Sequence, residues 1–160
     1  LIIFIKKHPY PLFACAILHY RTVCSAYLGA GGLAQQLFMK KILIIDDEPY
    51  IVEIIKLFAS KLGYEADASF SGEVMLRKAK EGEYWAVFCD LLMPGMNGLE
   101  IYEQIRDTRL ELSRRFVLLT ASIPDKKTEN FLKEKEVIFF RKPFNFDNFK
   151  ELFKSLEHIS

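Results

Sequence analysis

Short apolar runs alternate with amphipathic stretches from Lys41 to the end of the chain, and this alternation constrains the fold more than any other feature. It is typical of repeated strand–helix units that build a parallel sheet. The predicted strands cover residues 42–45, 64–70, 86–89, 116–119 and 137–140. The predicted helices cover about 49–62, 71–82, 99–109, 124–134 and 147–157. The pattern therefore predicts one α/β domain.

Turn and capping residues separate these elements. Pro49 suits the first turn of a helix, and Ser71 is a candidate N-cap. Pro94, Gly95 and Gly98 are expected to form a loop after the third strand. The first helix is expected to bury Ile51, Ile54, Ile55, Phe58 and Leu62. The last is expected to turn Phe149, Leu152, Phe153 and Leu156 inward.

The composition changes sharply at Met39. Residues 1–38 contain Lys6, Lys7 and Arg21 but no Asp or Glu, so the rest of the chain holds 19 Lys and Arg against all 21 acids. Because the chain begins with Leu and Met39 leads directly into an apolar run, we expect residues 1–38 to be a non-native or upstream leader. A targeting segment is the alternative. The expected domain is 39–160.

Charge and cysteine content limit the class of protein. The net charge of +1 gives no general basic field, so no nucleic-acid partner is expected. Three cysteines without C-x-x-C spacing suggest a reducing compartment, hence a cytoplasmic location. Prolines and Arg21 interrupt the apolar part of the leader, so no membrane span is expected either.

Polar side chains follow four of the five predicted strands. Asp46 and Asp47 follow the first strand, Asp90 the third, Thr120 the fourth and Lys142 the fifth. Each is ordinary alone, since an Asp pair after a strand is usually a solvated turn. Ligands of parallel sheets bind at this edge, however, and clustered carboxylates need a hard cation such as Mg²⁺. A carboxylate in such a site can accept a phosphoryl group.

These segments resemble the receiver domains of two-component response regulators. The resemblance covers Lys40 to about Glu157 and rests on Ile42-Leu-Ile-Ile-Asp-Asp-Glu-Pro49, Asp90-Leu-Leu-Met-Pro-Gly-Met-Asn-Gly98, Leu119-Thr-Ala121 and Arg141-Lys-Pro-Phe144. It implies a doubly wound, flavodoxin-like (CheY-like) sheet of five parallel strands in the order 2-1-3-4-5.

The resemblance also implies roles for individual residues. Asp90 would be the phosphoacceptor, and Asp46, Asp47 and Asp90 would hold Mg²⁺ with the backbone carbonyl of Leu92. Thr120 would be the switch hydroxyl, and Lys142 would pair with the phosphoryl group. Phe139 would be the switch aromatic, in place of the more frequent Tyr. The bond before Pro143 would be cis, as cis bonds occur essentially at proline.

The residues that would orient a hydrolytic water depart from the commonest pattern. Leu92 and Ser122 offer neither a carboxylate nor an amide, so slow self-dephosphorylation is expected. The output face would be the fourth helix, fifth strand and fifth helix, with Phe139, Phe140 and Phe146. Tyr50 and Glu53 on the first helix would face the kinase.

The function expected from the resemblance is that of a single-domain response regulator, not an enzyme with a separate substrate. It would receive a phosphoryl group from a sensor histidine kinase or a histidine phosphotransferase and act on an unknown downstream protein, as a monomer or a phosphorylation-linked dimer. One alternative is a degenerate receiver that binds a partner without phosphorylation. A remote alternative is a phosphohydrolase of the haloacid dehalogenase type, although the Asp-x-Asp of its first strand is missing here.

Overall fold

A computed structural model describes residues 39–121 and 123–159, and every element below belongs to one compact unit, Lys40–Ser160. The predicted leader, residues 1–38, and Ser122 lie outside the described residues. The strands are β1 (Lys41–Ile45), β2 (Glu65–Ser69), β3 (Ala86–Asp90), β4 (Leu92–Met93), β5 (Met96–Asn97), β6 (Phe116–Thr120) and β7 (Ile138–Arg141). The helices are α1 (Pro49–Lys61), α2 (Gly72–Glu81), α3 (Gly98–Thr108), α4 (Leu110–Ser113), α5 (Lys126–Glu134) and α6 (Phe146–Glu157).

Five of the strands form one parallel sheet in the order β2-β1-β3-β6-β7. These are the five strands predicted from the sequence, so the predicted doubly wound order 2-1-3-4-5 is confirmed. Strands β1, β3 and β6 are the central ones, and their continuous apolar sequences fit burial on both faces. The strand order reverses between β1 and β3. In doubly wound sheets, ligands bind at the carboxyl ends of the strands at such a point.

The sheet has a hydrophobic core on each face. On one face, Ile42 and Ile44 of β1 pack with α1 and α6, including the buried Val52, Ile55 and Phe149. On the other face, the alternate β1 residues Leu43 and Ile45 pack with α2, α3 and α5. The four residues predicted to point inward from the last helix, Phe149, Leu152, Phe153 and Leu156, are all buried.

The elements differ in detail from those that the sequence predicts. In α1 the fully buried residues are Val52, Ile55 and Ala59, because the inward face is rotated slightly from the predicted one. Ser71 occupies the N-cap position of α2 but makes no side-chain capping bond. Two short elements were not predicted: the antiparallel pair β4–β5 and the four-residue helix α4.

Gly98 has a different role from the predicted one. It is the first residue of α3 and is buried, rather than lying in an open turn. A Cβ atom at this position would lie 2.5 Å from the carbonyl oxygen of Asp90 and 2.7 Å from Cδ2 of Leu118. The absence of a side chain therefore lets α3 start directly against the end of β3.

Across the described ranges, 39–121 and 123–159, no helix is both long enough and apolar enough to cross a bilayer.

Candidate functional site

Asp46 follows β1 and is fully buried at the carboxyl edge of the sheet. Its Oδ1 accepts a hydrogen bond from the backbone N–H of Glu48 at 3.0 Å. Its Oδ2 lies 2.7 Å from Nζ of Lys142. This second contact is an ion pair, and no hydrogen bond of regular geometry from the described residues reaches that oxygen. Asp46 is thus a buried carboxylate with unused acceptor capacity.

Asp90 is the last residue of β3 and is also buried. Its Oδ1 lies 2.7 Å from Nζ of Lys142, and its Oδ2 accepts a hydrogen bond from the backbone N–H of Leu92 at 2.9 Å. The neighbouring backbone is fixed as well, since Leu91 N–H donates to the Leu119 carbonyl at 2.8 Å. Both oxygens of Asp90 are therefore held in defined directions.

Lys142 joins these acids. It follows β7, and its backbone N–H donates to the carbonyl of Thr120 at 2.7 Å, which anchors it to the end of β6. Its side chain is only 7% exposed, and Nζ contacts Asp46, Asp90 and, at 3.2 Å, Oε1 of Glu48. The Lys142–Pro143 peptide bond is cis, the isomer that the resemblance implies.

Burial and neighbouring charges shift the pKa values of Asp46 and Lys142 in opposite directions. Burial raises the pKa of Asp46, and the Lys142 ammonium and the Glu48 N–H only partly offset that effect. Burial alone would lower the pKa of Lys142, but the carboxylates of Asp46 and Asp90, each 2.7 Å from Nζ, raise it above its ordinary value. Lys142 therefore stays a cation at any physiological pH, available to neutralise added negative charge.

The other predicted residues lie around this pair of acids. Thr120 ends β6 and is buried, and Asp47 is exposed next to Asp46 in the chain. Leu92 is 65% exposed at the start of β4. Phe139 lies in β7 and is 47% exposed. The structure thus brings Asp46 and Asp90 into direct contact with Lys142. Asp47 and Leu92 lie close to these two acids in the chain, and Thr120 lies at the end of the neighbouring strand β6.

The donor chemistry of the cluster fits a hard divalent cation. Three carboxylates contact the single ammonium of Lys142, which leaves excess negative charge. The atoms of these side chains that could bind a metal ion are all oxygens, the ligands that a hard cation prefers. In the described part of the chain, no three acidic, His or Cys side chains are already grouped as a finished metal centre. Two of the acids that would take part, Asp46 and Asp90, contact Lys142 instead.

The sequence predicts no site role for two of the contributors. Glu48 contacts Lys142 across 94 residues of chain, and its only sequence signal is its position directly after the acid pair. Gly98 packs against the Asp90 carbonyl, whereas the sequence predicts only a turn residue there.

Comparison with known proteins agrees with this geometry. Residues 42–154 match the model of the response regulator receiver domain. The chain is 38% identical over 89 residues to YkoG of Bacillus subtilis, an uncharacterized transcriptional regulatory protein, over 54% of this chain and 38% of YkoG. It therefore spans well under half the length of that relative.

A solved structure of the response regulator TrrA from Thermotoga maritima, in complex with Mg²⁺-BeF, is similar over 74% of this chain and 99% of that one. The identity is 38% and the TM-score 0.64. TrrA in complex with the histidine kinase ThkA is similar at 37% identity, with a TM-score of 0.63, over 74% of this chain and 98% of that one. From the extent of the receiver-domain match, and from a fold and an acidic cluster that agree with it, this chain belongs to the response regulator receiver domain family.

Proposed function

We propose that the protein is a phosphoacceptor that takes a phosphoryl group onto Asp90 from a phosphohistidine of a partner kinase or phosphotransferase. The observation that carries this proposal is the arrangement around Lys142, whose Nζ lies 2.7 Å from both Asp46 and Asp90. A buried cation beside a fixed carboxylate is what a phosphoryl group needs at its acceptor. The protein is proposed to act by binding other proteins, not by turning over a separate substrate.

The proposed transfer is a displacement at phosphorus. An Asp90 carboxylate oxygen attacks the phosphorus, the new P–O bond forms, and the P–N bond to the imidazole of the donor breaks. The imidazole nitrogen leaves with the electron pair and takes a proton from water. Lys142 neutralises charge on the phosphoryl oxygens, and the buried Thr120 at the end of β6 supplies a hydroxyl on the same edge.

A bound Mg²⁺ would neutralise the oxygens of the transferring group. Asp46, Asp47 and Asp90, with the carbonyl of Leu92, would hold it. The burial of the Asp46 carboxylate and the excess of carboxylates over ammonium groups support this set. The complex of the relative TrrA with Mg²⁺-BeF supports it independently.

The partner surfaces are proposed on two sides of the site. Tyr50, which is 74% exposed at the start of α1, and Glu53 would face the kinase. The output face would be α5, β7 and α6, because Lys142 directly follows β7. Of the three aromatic residues predicted for this face, Phe139, Phe140 and Phe146, only Phe139 is exposed. Phe140 stacks on Phe144, and Phe146 packs edge-on against Phe58.

The proposal is tested with phosphoramidate, a small donor that carries the same P–N bond as phosphohistidine. The protein is incubated with phosphoramidate and Mg²⁺ and then treated with hydroxylamine, which converts an acyl phosphate into a hydroxamate. Peptide mass spectrometry locates the hydroxamate. Modification at Asp90 alone is expected. Modification at Asp46 or Asp47, or no modification of the folded protein, would contradict the proposal.

A further inference from the structure

Glu48 completes the coordination of Lys142 in the resting site. An ammonium group has three N–H donors, and Nζ of Lys142 contacts three carboxylates, those of Asp46, Asp90 and Glu48. The number of carboxylates around Nζ thus equals its number of N–H donors, and the contact with Glu48 has hydrogen-bond geometry. A phosphoryl oxygen can be bound by Lys142 only if one of these contacts is given up.

The Glu48 contact is the longest and the most exposed of the three. It is 3.2 Å long, whereas the other two are 2.7 Å, and the Glu48 side chain is 63% exposed, whereas Asp46 and Asp90 are buried. Exposed ion pairs are screened by water and contribute little. Release of Glu48 therefore costs less than release of either aspartate.

The position of Glu48 in the chain supports a role outside helix capping. It is the N-cap residue of α1, yet its side chain makes no capping hydrogen bond and extends to Lys142 instead. Its backbone is fixed, since its N–H donates to Asp46 and its carbonyl accepts from Ile51 and Val52. The carboxylate can therefore leave Lys142 while the backbone of the site stays in place.

We propose that Glu48 is a positioning residue that occupies the third donor of Lys142 in the unphosphorylated protein and yields it to the phosphoryl group. This inference rests on the proposed function of Asp90 as phosphoacceptor. In the phosphorylated protein the freed carboxylate of Glu48 turns to solvent beside Tyr50. The contact thus sets how strongly the resting site competes with a phosphoryl group for Lys142.

The test measures binding of beryllium fluoride, a phosphoryl analogue, at saturating Mg²⁺ by fluorine NMR. Glu48→Gln removes the charge, whereas Glu48→Asp keeps the charge but shortens the side chain by one methylene. An aspartate at the N-cap also has a backbone N–H of α1 to accept from, which draws it away from Lys142. Both variants are expected to bind the analogue about two- to fivefold more tightly than the wild type, the range for loss of an exposed ion pair.

Glu111→Gln is the control, because it removes one exposed negative charge and Glu111 lies in α4, where it pairs with Arg114 at 3.7 Å rather than with Lys142. It should bind like the wild type. Tighter binding by Glu48→Gln and Glu111→Gln but not by Glu48→Asp would show a general charge effect and overturn the inference. Unchanged affinity in both Glu48 variants would overturn it too, while the proposed function stands. A wild-type protein that binds no analogue and gains no phosphoryl group on Asp90 would overturn both.

Discussion

Lys142 shows how a single residue links the separate parts of the site. Its backbone is fixed to β6 through the Thr120 carbonyl, and its ammonium is fixed to acids that follow β1 and β3. The strand ends that carry these groups are neighbours in the sheet. The carboxylate of Asp90 is therefore positioned by backbone pairing, with one buried cation beside it.

Leu92 leads to a prediction about the lifetime of the phosphorylated state. Its exposed apolar side chain follows Asp90 by two residues and offers no group to orient water. We expect the phosphorylated protein to keep its phosphoryl group for minutes or longer without a phosphatase. Leu92→Asn should speed the loss on the order of tenfold, because an amide can hold a water molecule near the phosphorus. Leu92→Ala is the control and should have little effect. Loss within seconds from the wild type, followed by intact mass, would contradict the prediction.

Gly98→Ala is predicted to disturb the site as well as the fold. The new Cβ would lie 2.5 Å from the Asp90 carbonyl oxygen, so either α3 or the end of β3 must move. A loss of about 1–3 kcal/mol in the free energy of unfolding is expected, together with slower phosphorylation of the molecules that remain folded. Gly63→Ala is a suitable control. Gly63 has a φ of +83°, which strains any other residue, but a Cβ at this position would lie in open space. It should lower stability but leave the phosphorylation rate unchanged. Equal rates in the two variants would refute the prediction for Gly98.

At the scale of elements, the sequence predicts those helices and strands that have enough residues to show a hydrophobic pattern. Continuous apolar runs identify β1, β3 and β6, because strands buried on both faces need them. The β4–β5 pair and α4 could not be predicted, since two strands of two residues and a helix of four are too short for any periodicity. The contact of Glu48 with Lys142 could not be predicted either, because it depends on where two distant loops meet.

A polar cluster around Asp67 in the outer strand β2 gives a prediction about how stability depends on pH. Asp67 of β2 accepts hydrogen bonds from Tyr84 at 2.7 Å and pairs with Lys41 of β1 at 3.0 Å. Burial alone would raise the pKa of Asp67, but these two partners lower it below its usual range. A lowered pKa stabilises the fold above the pKa of the unfolded chain, and the effect is lost as the pH falls through the folded value.

Asp67→Asn is therefore expected to lower the free energy of unfolding by about 0.5 kcal/mol at neutral pH, a small value because the pair is partly exposed. The difference from the wild type should stay constant above about pH 5 and shrink as the pH falls below about 4. Urea unfolding at several pH values measures it. A difference that grows on acidification would contradict the assignment of Asp67 as a stabilising anion.

In the domain as a whole, the large aromatic core and the candidate site lie in different places. Aromatic rings from four elements meet at Phe149 of α6. Its ring centroid lies 5.5 Å from that of Phe58 in α1, 5.5 Å from that of Phe88 in β3 and 6.4 Å from that of Phe140 in β7. This core lies on one face of the sheet, whereas the acids lie at its carboxyl edge. Helices and strands that carry the site are thus held by packing that does not involve it.

Phe149→Ala is predicted to cost about 3–5 kcal/mol in the free energy of unfolding, because it leaves a cavity where these elements meet. Phe139→Ala is the matched control, since Phe139 is largely outside the core, and it should cost less than about 0.5 kcal/mol. Circular dichroism during urea unfolding provides both values. Similar losses in the two variants would show that Phe139 contributes to the core.

The central claim is that Asp90 accepts a phosphoryl group in a magnesium-dependent reaction. The measurement that tests it most directly is the intact mass of the protein after incubation with acetyl phosphate, with Mg²⁺ or with a chelator. Asp90→Asn, which keeps the size and shape of the side chain, is compared under the same conditions. We predict one phosphoryl adduct on the wild type in Mg²⁺, and none with the chelator or in the variant. A folded wild-type protein that gains no adduct, or an Asp90→Asn variant that gains the same one, would contradict the account.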